Sequence, residues 1–125
     1  KAQNGLVVLP HPADRLRHEA IGLKLAKEFI DRIDLIEVFN SRCLFTQDNA
    51  KAWAFAEKHG KAKIVGSDAH LAEEYGRALC LMKAFSSKDE FLENIINASF
   101  LTKSSGLLVH LKTKIDKLIK NTSVA

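Results

Sequence analysis

An α/β fold with a parallel or mostly parallel sheet is what this 125-residue sequence predicts, on three observations. Apolar runs of strand length alternate with longer stretches whose apolar residues recur every three or four positions, the pattern of a sheet packed between outer helices. The first run, Gly5-Leu6-Val7-Val8-Leu9, offers no polar residue to water on either side, as suits a strand buried on both faces. The residues with metal- or phosphate-binding chemistry, His11, Asn40, Arg42, Asp68 and His70, all follow predicted strands. Parallel α/β folds build their sites at those strand ends.

Each element has its own warrant. The first strand must stop at Pro10-His11-Pro12, because proline has no N–H to give a ladder, and His11 is left on a stiff backbone at the strand's end. Ala13 to His18 is a charged loop holding Asp14, Arg15 and Arg17. Ile21, Leu25 and Phe29, widened by Ala26 and Ile30, then mark a helix, which Gly22 weakens by about 1 kcal/mol relative to alanine. Asp34 to Phe39 is the second strand, with Glu37 in its middle. A carboxylate there is costly to bury unless paired or functional, so Glu37 faces either a polar cavity or, on an edge strand, water.

Thr46 is placed to cap a helix running to His59, with Ala50, Trp53, Ala54 and Ala56 apolar and Gly60 as its stop. Trp53 suits helix-to-sheet packing. Ile64-Val65 is a third strand, and Gly66-Ser67 turns the chain into Asp68-Ala69-His70, whose acid and imidazole are two residues apart and share a side in extended chain. Glu73 to Gly76 reads as a short helical turn, Arg77 to Met82 as a strand, and Ser87-Lys88-Asp89-Glu90 as a capping box opening a helix with Phe91, Leu92, Ile95 and Ile96 inward. Phe100-Leu101-Thr102 is a last strand. Leu107, Leu108, Leu111, Ile115, Leu118 and Ile119 give a final helix, expected to fray after Asn121.

The size suits one domain, with residues 1–121 structured and 122–125 a frayed tail. No apolar run approaches the roughly 20 residues that span a bilayer. Cys43 and Cys80 are expected to be reduced thiols, and a cytoplasmic location follows from the lack of a secretory pattern. A formal net charge of +4, much of it on Lys103, Lys112, Lys114, Lys117 and Lys120, suits phosphate-rich partners or simply a solvated helix face. The opening Lys1-Ala2-Gln3-Asn4-Gly5 is expected to be a cut within a longer protein. A carboxylate with imidazoles suits zinc, manganese or iron better than calcium.

Val8-Leu9-Pro10-His11-Pro12, Ile36-Glu37-Val38-Phe39-Asn40-Ser41-Arg42, Asn49-Ala50-Lys51-Ala52, Gly66-Ser67-Asp68-Ala69-His70 and Glu74-Tyr75-Gly76-Arg77-Ala78 together resemble the C-terminal half of a PHP domain (polymerase and histidinol phosphatase superfamily), over roughly residues 5–105. The Asn-Ser-Arg stretch points toward the stand-alone phosphoesterases of that superfamily. The resemblance implies the C-terminal portion of a distorted (β/α)7 barrel whose metal ions activate water against a phosphoester. It implies His11, Asp68 and His70 as metal ligands, Asp68 and His70 as catalytic, and Glu37 as barrel-lining. Arg15, Arg17, Asn40 and Arg42 would meet the substrate, a nucleotide, oligonucleotide or small phosphomonoester.

The family's N-terminal His-x-His motif, and the histidine and glutamate of its second motif, are missing here. The intact parent is therefore expected to be a hydrolase and this chain alone inactive, with open sheet edges that favour a homodimer. His18, His59 and His110 are expected at the surface. The rival reading is a non-catalytic nucleic-acid-binding or assembly module on the same scaffold, and the blandest is a structural α/β domain with no site.

Overall fold

Pro10 leaves only two residues of the first apolar run in a ladder. In the computed structural model, which describes residues 2–122, β1 is Val8–Leu9. It is followed by α1 (Gly22–Glu28), β2 (Leu35–Asn40), α2 (Thr46–Lys58), β3 (Ala62–Gly66), β4 (Ala78–Leu81), α3 (Lys88–Ile95), β5 (Ser99–Thr102) and α4 (Leu107–Thr122). Single 3-10 turns occupy Ile30–Arg32 and Ala72–Glu74. The strands form a parallel sheet in the order β1-β2-β3 and an antiparallel pair, β4-β5. β3 also packs against β4 and α3. Among the described residues the strands do not close into a barrel, so the observed architecture is a mixed α/β layer with two small sheets.

β2 is the central strand of the parallel sheet, which overturns the edge-strand reading of Glu37. Its Ile36 and Val38 join Leu9, Ala26, Ile33 and Ala56 in one buried cluster under α1 and α2. Strand alternation therefore sends Leu35 and Glu37 to the opposite face, where both are buried. A register shift between Glu37 and Phe39 marks a bulge in β2. Bulges of this kind re-aim side chains near strand ends.

The helices bury narrower stripes than their apolar spacing suggests. α1 packs through Ala26 and the following Ile30, while Ile21, Leu25 and Phe29 stay exposed. α2 buries Asp48, Ala52 and Ala56, a strict i, i+4, i+8 row, and Ala50 and Ala54 face out. Alanine rows let helix and sheet approach closely, and larger side chains are left on the flanks. Phe45, not Thr46, is the N-cap of α2, and no side chain caps it. The other end follows expectation: the Gly60 N–H donates to Glu57 and the Lys61 N–H to Ala56, at 3.1 and 2.9 Å. Gly60 has φ +60°, so this is a Schellman stop that needs the glycine. Trp53 packs edge-on against Phe100 with ring centroids 6.0 Å apart.

Ser87 caps α3 by accepting the Glu90 N–H, but the Glu90 carboxylate takes the Ser86 N–H and hydroxyl, completing only half of the expected box. α3 buries Ile95 and turns Ile96 to solvent. α4 buries Val109 and Thr113, and Leu107, Leu108, Leu111 and Ile115, whose spacing marks the helix, are exposed. The side chains of Lys117, Leu118, Ile119 and Lys120 and the tail residues 123–125 lie outside the described residues. Cys43 and Cys80 are free thiols. Among the described residues no helix is long and apolar enough to cross a membrane.

Candidate functional site

The C-terminal ends of β1, β2 and β3 meet around a buried carboxylate. Glu37 accepts the backbone N–H of His11 at 2.7 Å and lies 3.3 Å from the Asn40 side-chain amide, which donates to it. Gly66 sits against the same carboxylate: a Cβ there would lie 1.9 Å from Glu37 Oε1. Glu37 thus ties the three strand tips to one another. Asn49 fixes the tip of β2 by accepting the Asn40 N–H at 3.1 Å and donating to the Asn40 carbonyl at 3.3 Å. Asn40 in turn accepts the Arg42 N–H at 2.9 Å.

Among the described residues three non-glycine residues have positive φ: Asn4, His11 at +28° and Asp68 at +50°. Such backbone costs roughly 1–3 kcal/mol and is retained where the surroundings over-determine it. Two of the three are predicted ligands. His11 and His70 line one cavity of about 680 Å³ together with Asp14, Arg17, Arg42 and His110. His11 Nδ1 is buried with no hydrogen-bond partner. Asp68 does not line this cavity but is paired with Arg17, which does and whose Nη2 donates to Oδ2. His70 Nδ1 lies 2.8 Å from the Asp68 carbonyl and 3.9 Å from its carboxylate.

The predicted phosphate contacts have different surroundings. Arg15 is clamped on buried Asp48 through Nε and Nη2, at 2.9 and 2.5 Å, and stacks over Phe45. This pairing holds the Asp48 carboxyl below its usual range against the opposing effect of burial. Arg42 is buried, with Nη1 on Glu74 at 2.7 Å and Nη2 on Thr113 at 3.1 Å. Glu74 is fully buried and also accepts the N–H groups of His70 and Leu71, at 2.9 and 3.1 Å. Burial pushes the Glu74 carboxyl up, but those N–H groups, the Ser105 hydroxyl and the Arg42 guanidinium together hold it below its usual range. Glu74 therefore fixes the backbone of the Asp-x-His turn, a role nothing in its local sequence announces.

His11, Asp68 and His70 supply a donor set that fits a divalent transition ion, and the unpartnered His11 Nδ1 is the observation that favours it. Their ligand atoms do not close to the spacing of a preformed site. Among the described residues the one group of three ligand atoms within 4.8 Å of one another is Asp14, Cys43 and Asp48, all buried. This second candidate metal group escaped the sequence reading because its members come from a loop, a strand tip and a helix first turn. Burial and the nearby Asp14 push the Cys43 thiol up to about 11, so Cys43 is a thiol at neutral pH. Asp48 is already engaged by Arg15 and by Lys51 at 3.7 Å. His110, expected at the surface, is instead half-buried on α4 beside the cavity. Burial and the Arg42 guanidinium hold its pKa below the usual value.

An uncharacterized protein of Methanocaldococcus jannaschii is 34% identical over 126 residues, covering 98% of this chain and 49% of that protein. The chain thus spans about half the length of the curated relative it matches. No solved structure matches it. Residues 46–99, from the start of α2 to the start of β5, match the family described as PHP-associated, a match consistent with the C-terminal region of a PHP-family protein.

Proposed function

We propose that this chain contributes the C-terminal portion of a distorted (β/α)7 barrel in a metal-dependent phosphoesterase. The substrate class is a nucleotide, oligonucleotide or small phosphomonoester. The observation that supports it most is the convergence of three strand tips on one cavity lined by His11, Arg17, Arg42 and His70. Its walls combine imidazole nitrogens with guanidinium groups, which are the two chemistries that a metal-assisted phosphoester site requires.

In this reading His11, Asp68 and His70 hold a zinc, manganese or iron ion, which would lower the pKa of a bound water and neutralise phosphate charge. Glu37 orients His11 through its backbone, and Glu74 orients His70 in the same way. Asn40, held by Asn49, sets the β2 tip, and Arg17 is the guanidinium nearest the ligands. Arg42 lines the cavity from its ion pair with Glu74, while Arg15, held on Asp48, does not line it. The complete site needs further ligands from the parent protein, so the chain alone is expected to turn over little or no phosphoester. Equilibrium dialysis against Mn²⁺ or Zn²⁺ tests the reading. The wild-type chain should take up metal and His11→Ala and Asp68→Ala should not; uptake unchanged in both variants refutes it.

A second reading, an assembly module without catalysis, is favoured by one observation. Leu107, Leu108, Leu111 and Ile115 form an exposed apolar row on α4. In that case the variants of His11 and Asp68 leave association untouched, while substitutions in the row abolish it.

A further inference from the structure

Three arginines stand at the strand tips, and they differ in what holds them. Arg15 grips Asp48 with two nitrogens. Arg42 is buried between Glu74 and Thr113. Arg17 alone of the three is held by a predicted metal ligand: its Nη2 is on Asp68 Oδ2, and its Nε lies 3.4 Å from Asp14 Oδ2. Both side chains of the Arg17–Asp68 pair are partly open to solvent, at 26% and 20%. Pairs of that exposure are weak and exchangeable. The Asp14 anchor is different in kind. Asp14 is buried, and its other oxygen accepts the Leu16 N–H at 3.0 Å.

We propose that Arg17 is a displaceable latch: a divalent transition ion that takes the Asp68 carboxylate displaces the guanidinium, which pivots on Asp14 and becomes the arm that receives a phosphoryl group in the same cavity. The inference rests on the reading of Asp68 as a ligand. A cation seated on Oδ2 and the guanidinium already there repel each other at contact distance. Metal therefore binds against the latch. The Nε contact to Asp14 does not compete with a metal on Asp68, so the freed end stays on a short tether in the cavity that His11 and His70 line. Ordered filling follows, with metal first and phosphate second. Neither neighbour can act this way, because moving Arg15 or Arg42 uncovers a buried carboxylate.

The distinguishing consequence is that one substitution moves two affinities in opposite directions. Isothermal titration of Mn²⁺ into the full chain should show Arg17→Gln binding the ion about two- to fivefold more tightly than wild type, the worth of an exchangeable ion pair. Titration of inorganic phosphate at saturating Mn²⁺ should show the same variant about tenfold weaker, the loss of one charge-assisted contact. Arg17→Lys, which keeps the charge and loses the fork, should fall between in both titrations and guards against a folding artefact in the first variant. Mn²⁺ affinity that is unchanged or weaker in Arg17→Gln, with Asp68→Ala losing the ion, overturns the latch and leaves the metal site standing. Mn²⁺ affinity that is the same in Asp68→Ala and wild type overturns the ligand reading and the latch with it.

Discussion

The two ends of this chain bury different kinds of surface. In the β1–β3 region, Ile36 and Val38 meet Ala26 and Ala56 of the covering helices, and the opposite face of β2 presents buried Glu37 to the strand tips. In the β4–β5 and α4 region, Leu79, Leu81, Leu101 and the α4 row stay exposed, and polar contacts do the tethering. The Arg42 side chain links β2 to Glu74 and Thr113, the Ser105 N–H donates to the Ser41 carbonyl at 2.7 Å, and Arg77 donates to the Ser104 carbonyl at 2.8 Å. The first region is held by apolar packing on one face and organised for chemistry on the other. The second is clasped to it by ion pairs and hydrogen bonds in addition to the packing of β3 on β4 and α3 and of Trp53 on Phe100. Apolar surface without a cover is what an incomplete barrel, or an interface, leaves behind.

The clasp is where that contrast breaks most readily. Glu74→Ala leaves the Arg42 guanidinium buried without a carboxylate, and removing one member of a buried pair costs roughly 3–5 kcal/mol. Urea denaturation should register a loss of that size. A loss under about 1 kcal/mol would mean that apolar packing, not the Arg42–Glu74 pair, joins the two regions. Asp48→Ala follows, at about 2–3 kcal/mol, because Arg15 loses a charge-assisted clamp and Asp48 is 1% exposed.

The same two carboxylates set the acid limit of the fold. Both titrate below their ordinary values of 3.8 for Asp48 and 4.5 for Glu74 in the folded chain. Unfolding raises their affinity for protons, so their contribution is complete above those values and is lost as pH falls through and below them. His110 adds a term higher up. Its folded pKa lies below the ordinary 6.5, so stability begins to decline as pH drops under 6.5. Denaturation midpoints measured from pH 7 to pH 3 should fall with pH, with His110→Gln removing the upper part of the slope and Asp48→Ala flattening the lower. A flat profile in the wild-type chain contradicts the assignment.

What was legible in the sequence follows the same division. The strand order and the strand-tip position of His11, Asn40, Arg42, Asp68 and His70 could be read because strand runs and their proline or glycine stops are local signals. Glu37 was flagged because a carboxylate inside an apolar strand is conspicuous. Glu74, Asp48, Cys43 and His110 were not legible. The roles of Glu74 and Asp48 depend on distant partners, Arg42 being 32 residues from Glu74 and Arg15 33 from Asp48. Helical spacing marked the elements but not their contacts: in α1 and α4 the large apolar residues lie on an exposed face while Ala26, Val109 and Thr113 are buried, and in α2 Ala56 is buried while Ala50, Trp53 and Ala54 are exposed. Periodicity says that a face exists, and only close approach decides whether small or large side chains occupy the contact.

Gly66→Ala sharpens the comparison at lower cost. The added methyl must push the Glu37 carboxylate aside. Because that atom ends a flexible side chain, the fold should lose only about 1 kcal/mol, the worth of the contacts to His11 and Asn40. The larger effect falls on the His11 backbone. Metal uptake, if His11 is a ligand, should drop well out of proportion to stability. Equal changes in the two would make Glu37 a packing residue.

The smallest stability effect belongs to the exposed row on α4, and it bears most on what covers this region. Leu108 is 81% exposed, so Leu108→Glu removes almost no intramolecular burial and should shift the folding free energy by no more than about 0.5 kcal/mol. Light scattering on the wild-type chain and on the Leu108→Glu, Leu111→Glu double variant separates the alternatives for the proposed homodimer. A wild-type dimer converted to a monomer at unchanged stability assigns the row to self-association. A dimer that persists in the variant moves the interface to the open edge of β1, where Val8 is exposed. A monomer in both leaves the row to the remainder of a longer parent protein. In that case, co-expression with the region preceding it should protect Leu108 and Leu111 amides from exchange.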